Sequence, residues 1–242
     1  MSIHVIGKAV DKFAPLRKAK TSWDNVGVLV DCGSEDARVL LTIDLTEPVL
    51  NECIEMGIRN ILAYHPVIFA PLKKLDLKEK IVVECIKNNI NVFCPHSALD
   101  RMMNEYVYRM MNDGSFYHKK NYGPNTSTIE SAIRVLKEKS GLQCLRVCMA
   151  RAHTMSTVPE TMYVGVGATF RHTIIKRSIV ITGEMSHHDL LACIANETSV
   201  ILMEHSNSER ICLEYIGTKL KSELPEYEVY ISKRDVDPVT IV

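Results

Sequence analysis

The sequence predicts an α/β fold made of mostly buried strands with flanking helices, and three observations carry that prediction. Short apolar runs with a β-branched bias recur at residues 38–45 (RVLLTIDL), 58–64 (IRNILAY), 90–94 (INVFC), 178–182 (SIVIT) and 199–203 (SVILM). Between them lie segments whose apolar residues fall three and four apart, the spacing of one helix face. The runs are continuous rather than alternating, as expected of parallel strands covered on both faces.

Taken in order, Ile3, Ile6, Val10 and Phe13 fall at helical spacing, and Pro15 ends that first amphipathic helix. The leading twenty residues hold five basic residues and one acid, the composition of a weak transit sequence, but the helical period favours a first element of the fold. After the strand at 38–45, Thr46 is placed to cap the next helix, with Glu47 and Pro48 in its first turn. Val49, Leu50, Cys53 and Ile54 form its apolar stripe, and Gly57 closes it. With 58–64 this makes a strand–helix–strand unit with a parallel, right-handed crossover.

The unit recurs. Residues 78–87 read as a helix, 90–94 as a strand, 186–196 as a helix and 209–220 as another, with a last strand at 228–232. In the middle, 127–139 is a fair helix because Ile129, Ala132, Ile133 and Leu136 share a face, and 145–149 and 162–166 read as strands. Residues 102–122 show little clean period. The organisation expected is an N-terminal α/β lobe over 1–104, a connector, and a C-terminal α/β lobe over 124–242.

Bulk composition bounds the function. Lysine plus arginine balances aspartate plus glutamate at 29 each, which argues against a phosphate-backbone binder. No apolar run approaches the roughly 18–20 residues of a membrane span. Eight cysteines are scattered without a C-x-x-C pair, which points to reduced thiols in a cytosolic or nuclear setting.

The chemistry-bearing residues follow the strands. His65 comes after 61–64, His96 and then Asp100 after 92–94, and Glu184 with His187, His188 and Asp189 after 179–182. Glu204, His205 and Glu209 follow 201–203. Ligands of open α/β sheets bind outside the carboxyl ends of strands, so side-by-side strands would make these groups converge. Imidazole and carboxylate together suit a divalent cation such as Zn²⁺, Mn²⁺ or Fe²⁺. His187 and His188 point about 100° apart on a helix, so one of them suits proton transfer rather than a shared ion. Trp23-Asp24-Asn25 reads as a turn, Lys73-Lys74 as a solvated pair, and Gly165 and Gly167 as tight packing.

The stretches SWDNVGVLVD (22–31), LTIDLTEPVL (41–50), ILAYHPVIFAPLKKL (61–75), PHSALD (95–100), ITGEMSHHD (181–189), VILMEHSNSER (200–210) and RDVDPVTIV (234–242) resemble the NIF-three-like family. Its members are also described as GTP cyclohydrolase I type 2 homologues. The resemblance spans almost the whole chain in order and is nearest the eukaryotic branch. It implies a two-lobed subunit with a di-metal centre between the lobes, assembled into a homohexameric ring. It assigns His65, Asp100, His205 and Glu209 as ligands of one or two divalent ions, with Glu209 bridging. The family's first histidine is Tyr64 here, a poor ligand unless a metal ionises it, which puts one cation position in question. Glu184, His187 and His188 become lining or proton-transfer groups. The short middle, 102–151, leaves no room for the domain that many members insert there. The function implied is a metal-dependent hydrolase acting on a small molecule in the cytoplasm, and also the nucleus. The alternatives are a metal-stabilised interaction or transcription-regulatory scaffold, and a metal-storage protein.

Overall fold

In the computed structural model, residues 2–19, 22–117, 119, 121–168 and 176–240 are described. The elements in chain order are α1 (Ile3–Phe13), β1 (Gly27–Val30), β2 (Arg38–Thr42), α2 (Glu47–Glu55), β3 (Asn60–Ala63), α3 (Lys80–Lys87), β4 (Asn91–Cys94) and α4 (Asp100–Arg109). There follow β5 (Tyr122–Pro124), α5 (Ile129–Ser140), β6 (Arg146–Cys148), β7 (Thr161–Gly165), β8 (Ser178–Thr182), α6 (His187–Ala195), β9 (Ser199–Leu202), α7 (His205–Arg210), α8 (Leu213–Glu223) and β10 (Glu228–Ile231). The fold is mixed α/β, with two sheets and flanking helices, as the sequence predicts.

The chain forms two compact units, one of Met1–Leu99 with Leu213–Val236, the other of Asp100–Cys212 with Asp237–Val242. These boundaries differ from a division at 104 and 124. The segment 213–236, expected in the C-terminal lobe, groups with the first unit, because α8 and β10 complete the first unit's sheet.

In the first unit the strand order is β1-β4-β3-β2-β10. Strands β4, β3, β2 and β10 run parallel, and β1 closes the edge antiparallel to β4. Leu41 pairs with Leu62, and Ile61 with Val92, so the carboxyl ends of β2, β3 and β4 lie level. All residues of β3 and β4 are buried, which is why these strands read as continuous apolar runs. Helix α1 buries Ile3, Ile6 and Val10, and Gly7 lets it approach β4: a Cβ there would lie 2.9 Å from the Phe93 ring. Thr46 sits at the α2 N-cap, but its side chain makes no capping bond, contrary to expectation.

Glu52 of α2 fastens the end of β10. It is 9% exposed, and its carboxylate accepts from the Ser232 hydroxyl at 2.5 Å and the Lys233 N–H at 3.0 Å. Burial alone would raise its pKa, but the Ser232 hydroxyl and the N–H groups of Lys233 and Arg234 outweigh it, and the pKa lies below the usual value.

In the second unit the order is β5-β7-β8-β9-β6. Strands β7, β8 and β9 are parallel, and β5 and β6 cover the edges antiparallel. Helix α5 is capped by the Thr128 hydroxyl at 3.0 Å from the Ser131 N–H and ends at Gly141, φ 73°. Two differences from expectation stand out. The helix α4 falls where no clean period is legible: Met103, Asn104, Val107 and Tyr108 are its buried face, and the polar Asn104 and Tyr108 mask the apolar pattern. The single helix expected over 209–220 is two, α7 and α8, broken at Ile211 and Cys212. Both of those residues are buried, and the chain passes there from one unit to the other.

Two outcomes test this description. Glu52→Gln should lower stability at neutral pH by about 1–3 kcal/mol, the range for a buried partner lost from a charged group. Because the folded pKa is depressed, the wild type holds that advantage above the unfolded carboxylate value and loses it as pH falls through the folded one. The two melting curves should therefore converge in acid. In the native protein at neutral pH a thiol reagent should label exposed Cys144 first. Cys53 and Cys85, whose thiols burial pushes up to about 12, should react only on unfolding.

Candidate metal centre

In the first unit the parallel register sets a carboxylate beside an imidazole. His65 follows β3, and its N–H bonds the Ile43 carbonyl at 3.0 Å, which brings it alongside the residue after Ile43. That residue is Asp44, whose Oδ1 accepts from His65 Nδ1 at 2.9 Å. With Nδ1 on a carboxylate, Nε2 is the nitrogen through which the imidazole would coordinate a cation.

A second imidazole stands next to it. His96 follows β4 in a 3-10 turn, with its backbone at φ 32°. Its Nδ1 donates to Asp24 Oδ1 at 2.6 Å, and the Asp24 carboxylate is wholly shielded from solvent. Asp24 also accepts from the hydroxyl and the N–H of Ser97. Burial raises the Asp24 pKa, but the Ser97 hydroxyl and His96 more than offset it and leave the carboxylate below its usual range. The His65 and His96 rings are 5.6 Å apart, and the buried Tyr64 ring is 4.9 Å from His65 and 5.4 Å from His96. Trp23 crosses His96 edge-on at 5.9 Å. Thus the Trp23-Asp24-Asn25 turn bonds a histidine as well as backbone. Lys73 and Lys74 are both exposed, as expected, and Lys74 reaches Asp76.

The second unit repeats the device. Glu184 follows β8 and His205 follows β9, and Glu184 Oε1 accepts from His205 Nδ1 at 2.8 Å. His205 opens α7, so Glu209 comes back to the same face one turn later, and its Oε1 lies 3.3 Å from His205 Nε2. Glu209 is 2% exposed. The hydrogen bond that His205 donates to Glu209, with the charges of Glu209 and Glu184, overrides burial and pushes the His205 pKa up to about 9.

The turn that delivers His205 is strained. Glu204 has φ 66° and ψ 155°, a region that only glycine enters without cost. Its carboxylate is held by Arg146 Nε at 2.7 Å. Opposite stands Gly167, φ 61°, where a Cβ would lie 2.3 Å from Glu209 Oε1 and 3.2 Å from His205 Nε2. Its N–H donates to Ser208 Oγ at 2.7 Å, and the Ser208 hydroxyl donates to the His205 carbonyl at 2.7 Å. The tight packing read from the glycines is therefore a wall of the site.

Among the described residues, His65, His205 and Glu209 form a group able to hold a metal ion. The donor chemistry fits. Each histidine has its Nδ1 on a carboxylate, the arrangement that orients imidazole ligands toward a cation. Glu209 adds a buried carboxylate against bare backbone at Gly167. Asp100 is not in this group; it opens α4, half-buried. His187 and His188 are exposed at the start of α6, with rings 5.6 Å apart. Sequence reasoning missed Asp44 because the apolar run reads as a strand through Leu45; β2 ends at Thr42, which leaves Asp44 just past it, where the other polar groups stand.

Comparison with known proteins places the chain in a family. The family model Duf34/NIF3 (NGG1p interacting factor 3) matches residues 1–238. The NIF3-like protein 1 of Drosophila melanogaster is 35% identical over 97% of this chain and 87% of its own length. The NGG1-interacting factor 3 of Saccharomyces cerevisiae is 28% identical over 97% and 95%. NIF3-like protein 1 of Homo sapiens is 23% identical over 100% and 93%, in an alignment of 351 residues, so that relative has segments without a counterpart here. Among solved structures, the Staphylococcus aureus hypothetical protein SA1388 superposes with a TM-score of 0.81 at 21% identity, covering 100% of this chain and 99% of that one. Reduced HcgD from Methanocaldococcus jannaschii gives 0.79 at 17% identity, over 96% and 98%. The fold and site define an α/β protein with a candidate His/His/Glu metal group. The chain belongs to the Duf34/NIF3 family.

Gly167→Ala tests the tight wall. The substitution meets both a positive φ and the Glu209 carboxylate, so destabilisation of about 1–3 kcal/mol is expected from the backbone alone. Thermal melting measures it.

Proposed function

We propose that the protein binds a divalent metal ion through His65, His205 and Glu209 and acts as a metal-dependent hydrolase on a small molecule. The observation that carries this reading is the carboxylate on the Nδ1 of each imidazole, Asp44 on His65 and Glu184 on His205. Histidines held in this way are preset as ligands rather than as surface groups. Zinc, manganese and iron all suit two imidazoles and a carboxylate. Asp100 and Tyr64 are the further ligands this reading assigns, with a second ion dependent on Tyr64 as phenolate.

When bound, such an ion supplies Lewis acidity and a water of lowered pKa. The chain's own contribution is positional. Asp44 and Glu184 fix the ring planes, Gly167 sets the depth of Glu209, and exposed His187 or His188 carries a proton to or from solvent. GTP ring opening, which the family resemblance suggests, is one reaction of this class. Assembly into a hexameric ring and a cytoplasmic or nuclear setting belong to the same proposal.

A second reading makes the ion structural and the protein an interaction scaffold; the yeast relative's name, an interacting factor, favours it. An open coordination position separates the two, because structural sites are closed.

Metal analysis of protein purified without chelator tests the proposal. Wild type should carry about one or two equivalents of a divalent ion. Glu209→Gln should lose most of it while keeping the circular dichroism of the fold. Metal content unchanged by that substitution would contradict the assignment. Hydrolysis of nucleotides or phosphoesters that tracks metal content would favour the enzyme; a metal-replete protein inert to both classes would favour the scaffold.

A further inference from the structure

Strand β10 ends the first unit's sheet and, among the described residues, pairs only with β2. Its register with β2 is unbroken from Glu228 to Ile231. The N–H groups of Glu228 and Ser232 bond β2-side carbonyls, Ala37 at 2.8 Å and Leu41 at 2.9 Å. By the alternation of a parallel ladder, the main-chain groups of Val229 and Ile231 therefore face outward. A groove of about 700 Å³ runs beside them, lined by Gly217, Thr218 and Lys221 of α8 and by Val229, Tyr230 and Ile231. Gly217 keeps α8 close to the sheet: a Cβ there would be 3.4 Å from Leu41 and 3.6 Å from Val229.

Exposed edges are usually guarded by proline, a bulge or an inward charge. β10 (EVYI) has none of these. Its flanks carry a charge pattern instead. Glu226 and Glu228 lie at the start, Lys233 and Arg234 just past the end, and all four are exposed. A strand that is acidic at one end and basic at the other complements its own antiparallel copy.

We propose that the β10 edge is a two-fold interface, on which β10 of a second copy pairs antiparallel to join two five-stranded sheets into one. A two-fold axis normal to the sheet requires each residue to meet one whose number differs by an even count. Centring the axis on Tyr230 satisfies this with the outward groups: Val229 and Ile231 of the second copy exchange both main-chain hydrogen bonds. Beyond the paired strands, the same two-fold brings the acidic turn at Glu226 toward the basic segment at Lys233 and Arg234 of the second copy, twice over. Present partners do not compete strongly. Glu228 accepts from its own Tyr230 hydroxyl, and Arg234 pairs with Glu55, both at the exposed surface where ion pairs contribute little. An interface of this kind needs no metal and stands apart from the proposed site.

The experiment uses the full chain in a Cys144→Ser background, which removes the exposed thiol. Tyr230→Cys places one thiol on the axis, and mild oxidation should give a covalent dimer. Thr218→Cys, exposed on α8, is the control and should crosslink far more slowly. Light scattering of the uncrosslinked protein should show even-numbered assemblies. Glu226→Arg and Arg234→Glu should each weaken association several-fold, and the double reversal should restore it; melting curves verify that each variant folds. A monomer at tens of micromolar would overturn the proposal. So would an assembly that neither reversal moves and Tyr230→Cys does not trap, or a monomer whose edge takes up only a foreign extended peptide.

Discussion

An imidazole at the end of a buried strand has two nitrogens and a free ring rotation, and a carboxylate on Nδ1 removes both ambiguities. That constraint recurs three times here: Asp44 on His65, Asp24 on His96, and Glu184 on His205. In two of the three the device is built by sheet geometry. β2 and β3 are adjacent, parallel and level, so the residue past one strand meets the residue past the other. β8 and β9 do the same in the second unit. Each unit thus turns one pair of parallel strands into one oriented histidine.

The arrangement has a cost that the surrounding structure offsets. Glu204 holds a glycine-like backbone conformation to start α7 immediately after β9. Strain of this sort is worth about 1–3 kcal/mol. Ser208 ties the turn to Gly167, and the Gly167 carbonyl accepts from Gly183 at 3.0 Å and Glu184 at 3.1 Å. The hydroxyl of Thr182 donates to the Gly165 carbonyl at 2.6 Å. These bonds tie the ends of β7 and β8 and the start of α7 together, and the carboxylate of Glu209 is buried against them. A buried carboxylate needs a polar or charged partner, and the His205 imidazole lies 3.3 Å from that of Glu209.

Much of this was legible in the residues because apolar runs ended abruptly in histidine or glutamate. Residues 178–182 and 199–203 read as strands from β-branched content alone, and His205 and Glu209 fall one helical turn apart by count. What escaped had physical reasons. Asn104 and Tyr108 are polar residues on the buried face of α4, so its period is hidden; Asn104 spends its carbonyl on the Val166 N–H. The return of 213–236 to the first unit leaves no local mark, since β10 looks the same in either sheet. Glu204 carries no sign of its strained backbone, because glutamate is not a residue that announces a positive φ. The glycine at 167 marks a close approach, but its partner, Glu209, lies far along the chain and leaves no local sign.

The most direct measurement is anomalous diffraction from crystals grown with manganese(II) or cobalt(II) and no chelator. The account predicts a peak within bonding reach of Nε2 of His65, Nε2 of His205 and a carboxylate oxygen of Glu209, with Asp44 and Glu184 still on the two Nδ1 atoms. Diffraction that shows no peak there, with His205 still bonded directly to both Glu184 and Glu209, would contradict it.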